Sequence, residues 1–311
     1  MDLLSDILSH MKLKGTLYFR TAFTSPWSVQ VPAFEKVARF HFAHKGRCLV
    51  RIEADKPPVP LNQGDLLIVT RGAGHTLYCD PTTESPATHL DRVIEESGFD
   101  GTGALVYGTP GSHHETQLIC GHFAFDEMAE HPLIDKLPSH IHIKNYGESA
   151  GVWMDHTLRV IGAEAGKNAM GSEIIALKLS EIIFAQALRS YLSDEQHLPA
   201  GLRGYADTRI AKSLTAIHQN PAHAWSLQDL AQEAGLSRTA FATRFAELLD
   251  MTPIGYITNW RMQIARRMLL ETDSAIIAIA EAIGYQSEAA FGRVFKKTFD
   301  IAPGSFRKSG A

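Results

Sequence analysis

The hydrophobic rhythm of the 311-residue chain changes once along its length, from the period of strands to the period of helices. Between Lys14 and about Thr109, the runs "TLYFRTAF", "ARFHFAH", "CLVRIEA" and "DLLIVTR" are rich in β-branched and aromatic residues. Turn-forming stretches "KG", "KPPVP", "NQGD" and "GAG" separate them. Short apolar runs bounded by Gly and Pro predict strands, and so many of them predict a sandwich or small barrel. "TQLICGHFAF" at 116–125 reads as a further strand, and "HPLIDKLPSHIHI" closes this region. From Gly171 to Tyr191, the residues Ile174, Leu177, Ile182, Phe184, Ala185 and Leu188 recur at helical spacing. They predict a long helix with two apolar faces, which either packs on its own domain or joins two copies in a homodimer. The first residues, "MDLLSDILSHMKLKG", alternate like a short amphipathic helix.

"DEQHLPAGLRGYAD" (194–207) is polar and punctuated by Pro and Gly, which predicts a linker, and everything after it has the helical period. The domains expected are therefore 1–199, a linker at 200–206, and an all-α domain at 207–308.

Within this all-α domain a single phrase occurs twice. In "SLQDLAQEAGLSRTAFATRFAELL", Ser226 caps a helix with Leu227, Leu230 and Ala231 on its apolar face, and Gly235 ends it. Ser237 then caps a second helix with Phe241, Phe245 and Leu248 inward. In "SAIIAIAEAIGYQSEAAFGRVFKKTF", the corresponding positions are Ile276, Ile279 and Ala280, the turn Gly284, the cap Ser287, and Phe291, Phe295 and Phe299. Both copies space the two phenylalanines by four residues and the first phenylalanine from a proline, Pro253 or Pro303, by twelve. Two short helices joined by a tight turn make a helix-turn-helix, whose second helix can enter the major groove of DNA. A helix from Pro253 to about Leu270, with Ile257, Trp260, Ile264 and Leu269 apolar, links the copies. Recognition helices held about 34 Å apart would read successive grooves on one face of the duplex.

The stretch from about Asp207 to Lys308 resembles the DNA-binding domain of AraC/XylS-type transcription regulators, through the paired motif and the ending "GYQSEAAFGRVFKKTFDIAPGSFR". The first 199 residues resemble the cupin-type sensor domain of some of these regulators, in "SPWSVQVP", "ARFHFAHKGRC", "LNQGDLLIVTRGAGHTLY" and "TQLICGHFAFD". The resemblance implies a multidomain α+β chain: a cupin-like β-barrel followed by an all-α domain with two helix-turn-helix units. It also implies a non-enzymatic, sequence-specific regulator of transcription, more an activator than a repressor. The partners implied are double-stranded DNA, RNA polymerase and a small-molecule or oxidant effector, with no cofactor.

The DNA-contacting positions implied on the first recognition helix are Arg238, Thr239, Ala242, Thr243 and Arg244, with Arg238 suited to guanine or phosphate and Ala242 to a thymine methyl. On the second they are Ser287, Glu288, Ala289 and Arg293, with Lys296 and Lys297 near its end. Small residues at 289 and 292 point to little base reading there, so Arg293 and the lysines would grip phosphate. Arg261, Arg266 and Arg267 on the linking helix are either phosphate contacts or solvated charges.

Charge and chemistry narrow this further. The net charge is −4, yet residues 200–311 hold 13 Lys and Arg against 10 Asp and Glu, while the rest holds 17 against 24. The basic excess lies in the helical domain, and it is too small for an indiscriminate, architectural DNA binder. No apolar stretch is long enough to span a membrane, and Asp2 and Asp6 stand where a signal peptide needs positive charge, so a cytoplasmic protein is expected. A metal enzyme of the cupin type needs a His-x-His pair, a Glu and a later His. Here His41 and His44 have the wrong separation, no Glu follows at the expected distance, and only His75 stands in place. No metal is therefore expected, and His41, His44 and His75 are candidate effector-contacting residues instead. His140 and His142 share one side of a strand, and with His113 and His114 they are either a metal or pH-sensing cluster or ordinary histidines. The three cysteines suit a reducing compartment. Cys48, which follows Arg47, and Cys79 are candidate redox thiols, whereas Cys120 reads as core.

Overall fold

The strand-period residues bury alternate side chains between two sheets, and the helix-period residues bury stripes around two small cores. In the computed structural model, which describes residues 2–11, 13–84, 86–101, 103–109, 115–125, 131–146, 157, 160, 170–194 and 198–309, the chain divides into two units. One comprises Leu13–Glu127 and Leu137–Tyr191; the other comprises Met1–Lys12, Met128–Lys136 and Leu192–Ala311.

The first unit is built of β1 (Lys14–Thr24), β2 (Ser28–Val31), β3 (Val37–Lys45), β4 (Cys48–Arg51), β5 (Val59–Leu61), β6 (Leu66–Val69), β7 (His75–Tyr78), β8 (Thr88–His89), β9 (Ala104–Gly108), β10 (Glu115–Ala124) and β11 (His140–Ile143). Six strands form one sheet in the order β11-β6-β3-β10-β1-β9, and five form another in the order β5-β4-β7-β2-β8. The cupin-like β domain implied by the sequence is present as two sheets among the described residues. Phe19 and Phe23 of the larger sheet meet Val29, Val31, Val50 and Leu77 of the smaller one in a shared core. The helix α2 (Leu90–Ser97) adds the buried Val93 to that core.

Another helix of this unit, here α4 (Ser172–Leu192), follows the short α3 (Pro132–Asp135) in chain order. Ile183, Phe184, Ala187 and Leu188 of α4 are buried, with Phe184 packed on Phe123 at 4.7 Å between ring centroids. The Oη of Tyr146 donates to the carbonyl of Ile183. Ile174, Ile175 and Ile182 remain exposed, so the two apolar faces read from the sequence are one buried face and one open face.

The second unit starts with α1 (Leu3–His10), capped by Asp2, whose carboxylate accepts from the Ser5 amide. Then come α3, α5 (Arg203–Ala206), α6 (Thr208–Gln219), α7 (Leu227–Glu233), α8 (Arg238–Leu249), α9 (Pro253–Glu271), α10 (Ile276–Ala282), α11 (Glu288–Phe299) and α12 (Pro303–Ser309). The N-terminal half of α9 gives Tyr256, Ile257 and Trp260 to a core with Phe241, Phe245 and Leu249. Its C-terminal half gives Met262, Ala265 and Leu269 to a second core with Phe291 and Phe295. One amphipathic helix thus fixes both helix-turn-helix motifs. On α8 the third inward residue is Leu249, with Leu248 only partly covered, because Leu249 continues the i, i+4 row of Phe241 and Phe245.

The amphipathic N-terminal helix and the segment at 131–136 both belong to this helical unit. A buried polar chain ties them in. The Oδ2 of Asp6 lies 2.8 Å from Nδ1 of His218, whose Nε2 lies 2.7 Å from the Oη of Tyr256; Nε2 of His131 lies 3.3 Å from the same oxygen.

Candidate nucleic-acid interface and sensor cavity

Both recognition helices are held by the same local devices. The hydroxyl of Ser237 accepts from the amide of Ala240 to start α8, and that of Ser287 accepts from Ala290 to start α11. Both end on an aspartate in the left-handed region, Asp250 at φ 55° and Asp300 at φ 58°. Asp also tolerates that conformation better than bulkier residues do. The turns before them are capped alike: the amides of Gly235 and Leu236 bond back to Gln232 and Ala231, and those of Gly284 and Tyr285 to Glu281 and Ala280. The second copy carries one residue more, Gln286, between this cap and the serine.

With Phe241 and Phe245 fully buried, Arg238, Thr239, Thr243 and Arg244 of α8 are exposed and Ala242 is half-buried. With Phe291 and Phe295 buried, α11 exposes Glu288, Ala289, Arg293, Lys296 and Lys297, with Ser287 exposed at its cap. The basic residues differ in what they are already bonded to. The guanidinium of Arg244 is paired with the carboxylate of Asp207, the cap of α6, which also holds the Asp207 carboxyl below its usual range. Arg261 donates from Nε to the carbonyl of Pro221 and from Nη2 to that of His223, both at 2.7 Å. Its guanidinium lies over the Tyr285 ring at 5.9 Å. Arg261 therefore braces one motif against the other, while Arg244, exposed beside its partner Asp207, stays on the surface of the first recognition helix. Arg266 is 2 % exposed, which removes it from any phosphate-contacting surface, and Arg267 pairs with Glu271.

In the strand unit, the register sets His41 of β3 directly opposite Cys120 of β10, and the face-to-face packing brings His75 of β7 against them. The Nε2 atoms of His41 and His75 are 2.8 Å apart, and Nδ1 of His41 is 3.2 Å from Sγ of Cys120. Nδ1 of His75 is 2.9 Å from the carbonyl of Ala73, an obligate acceptor, so it carries a hydrogen. Burial pushes His75 down to about 4 and His41 well below its ordinary range, so both rings are neutral near pH 7. Only one arrangement then satisfies every atom: His75 Nε2 accepts from His41 Nε2–H, and His41 Nδ1 accepts from the Cys120 thiol. His41, Cys120 and Arg39 line a small apolar cavity of about 40 Å³ with Phe19, Phe23 and Val31.

The Cupin family matches residues 2–193, and the Helix-turn-helix domain family matches residues 230–309. A Streptomyces lividans protein described as an AraC-like transcription regulator is 32% identical over 99% of this chain and 98% of its own length. The chain belongs to the AraC-like transcription regulators. The RCS-specific transcriptional activator RclR of Escherichia coli is 22% identical over 99% of this chain and 98% of its own. A solved AraC-type regulator structure from Chromobacterium violaceum is 26% identical, covers 33% of this chain and 92% of its own, and has a TM-score of 0.32.

In this AraC-like regulator the other candidate histidines and cysteines read from the sequence do not join this group. His44 lies apart from the pair, beside Arg20 and Gln117 in a separate pocket. Nε2 of His142 lies 3.1 Å from the carboxylate of buried Asp65, while His140 stays half-buried; His113 and His114 lie outside the described residues. Among the described residues, no group of three or more His, Cys, Asp or Glu side chains is arranged so that it could hold a metal ion. Cys48 is buried in the core, and burial raises its thiol far above the ordinary range. Cys79 is half-buried, its sulfur accepting from the Trp27 amide at 3.3 Å and lying 3.3 Å from the Ser25 hydroxyl. Cys120, read from the sequence as core alone, also belongs to the cavity wall. Its signal is a Cys directly across a strand pair from a His, which shows only once the register is known.

Proposed function

We propose that the chain is a sequence-specific, DNA-binding activator of transcription, acting in the cytoplasm, whose affinity for its operator or whose contact with RNA polymerase is set by an effector at the strand unit. The observation that carries this reading is the pair of exposed recognition faces, Arg238, Thr239 and Thr243 on one helix and Glu288, Ala289 and Arg293 on the other, both anchored on buried phenylalanine pairs. Arg238 is assigned to base reading, and Arg293, Lys296 and Lys297 to phosphate. The name of RclR, an activator specific for RCS, supports both activation and a chemical signal. The apolar cavity bounded by His41 and Cys120 supports a small organic effector. The exposed Ile174, Ile175 and Ile182 of α4 support a homodimer through that helix.

Linkage then gives the mechanism: an effector that favours one arrangement of the regulator changes operator affinity by its differential free energy, typically about 1–3 kcal/mol. Hydroxyl-radical footprinting on a selected operator tests the reading. Two protected patches about one helical turn apart are expected, and a uniform footprint on every fragment at fixed salt would contradict it.

A further inference from the structure

The effector cavity of the proposed regulator has a nucleophile in its wall. We propose that Cys120, with His41 as its proton acceptor, is a covalent docking site for uncharged, apolar electrophiles of the α,β-unsaturated carbonyl class. Cys120 and His41 are cross-strand partners, both line the cavity, and Nδ1 of His41 has its lone pair 3.2 Å from the sulfur. His75 fixes that tautomer: its own Nδ1–H is spent on the Ala73 carbonyl, so it takes the Nε2–H of His41 and leaves Nδ1 bare. A nucleophile, a base within reach and a third group orienting the base are the elements of nucleophilic activation. Cys48, buried in the same core, is not among the residues lining the cavity.

The environment selects the reagent. The remaining walls include Phe19, Phe23, Val29, Val31, Leu77 and Leu118, which accept a hydrocarbon tail and reject charge. Burial lifts the Cys120 thiol to about 12, so the resting pair is S–H and neutral imidazole, inert to small charged reagents in water. Arg39, its guanidinium 4.7 Å from the Phe34 ring centroid, is also among the residues that line the cavity. In the reaction the sulfur attacks the β-carbon of the alkene. The S–C bond forms as the C=C π bond breaks, the thiol proton passes to Nδ1 of His41, and the electron pair moves onto the carbonyl oxygen as an enolate. His41 then returns the proton to the α-carbon. One thioether forms, the imidazole ends neutral, and no oxidant is consumed.

The site rests on the sensor reading above, and the test separates the two. The full-length protein is treated with trans-2-octenal or with acrolein, the same reactive group without the tail. Adducts are fixed with borohydride and mapped by peptide mass, and affinity for a selected operator is measured alongside. One octenal per chain on Cys120 is expected, with a rate at least about tenfold lower in His41→Gln. On the wild type alone, the octenal-to-acrolein rate ratio at Cys120 should exceed that for free glutathione by at least about tenfold, because the cavity binds the tail. Modification confined to Cys79, or a rate ratio equal to that of glutathione, would overturn the site while leaving the regulator reading intact. An adduct that forms on Cys120 without changing operator affinity would keep the site and overturn effector control.

Discussion

Single residues in this protein owe their roles to backbone geometry as much as to side-chain chemistry. Gly235 and Gly284 both sit at positive φ, 63° and 85°, ending the first helix of each motif. A Cβ at Gly235 would meet nothing within 4 Å, whereas one at Gly284 would fall 2.4 Å from the carbonyl oxygen of Ala222. Gly235→Ala should therefore cost only the left-handed strain, about 1–2 kcal/mol, and Gly284→Ala clearly more, because a backbone carbonyl has to move. Urea titrations of the two variants check this; equal losses would show that the contact at 284 does not matter. Residue type and spacing made the caps, the buried phenylalanines and the exposed Arg238 legible in the sequence. The roles of Arg261 and Arg244 were not, since their partners Pro221, His223 and Asp207 lie 38–40 and 37 positions away in the chain. The pairing of His41 with His75 was hidden for a related reason: it depends on two sheets packing, and no local period encodes it.

Among elements, α9 is the one on which the reader half depends, because it feeds both aromatic cores. Phe295 is fully buried and touches Phe291, Phe299 and Phe306. Phe295→Ala should cost about 3–5 kcal/mol by cavity formation and disorganise the second motif before the first. Hydrogen exchange would show it as faster exchange in α11 than in α8; equal acceleration would mean that the two cores act as one. The long helix at 172–192 and the linking helix were predictable within a residue or two from their apolar period. The amphipathic period of α1 was equally plain. Its partners were not, since His218 and Trp260, which meet Asp6 and His10, come from elements more than 200 residues away.

Across the whole molecule, the buried histidines set the response to pH. Burial holds His41 and His131 well below their ordinary range and His75 at about 4; it also lowers His218, against an opposing pull from Asp6. The unfolded chain binds these protons near pH 6.5, while the folded chain does not. Stability is therefore full above about pH 6.5 and falls as pH drops below it, by roughly 1.4 kcal/mol per unit for each such histidine, the His75 contribution levelling off near 4. Denaturation midpoints at pH 7.5 and 5 should decrease in that order, and an increase toward pH 5 would contradict the buried, neutral assignment.

The measurement that bears most directly on the regulator as a whole is selection of bound fragments from genomic DNA at fixed salt, comparing wild type with Arg238→Ala and Arg293→Ala. Wild type should recover a motif of two blocks about one helical turn apart. Arg238→Ala should relax one block at a cost of about 1–3 kcal/mol, and Arg293→Ala should weaken binding evenly across sequences. A wild-type protein that recovers no preferred sequence, with or without an effector bound, would contradict the claim that its duplicated helices read DNA.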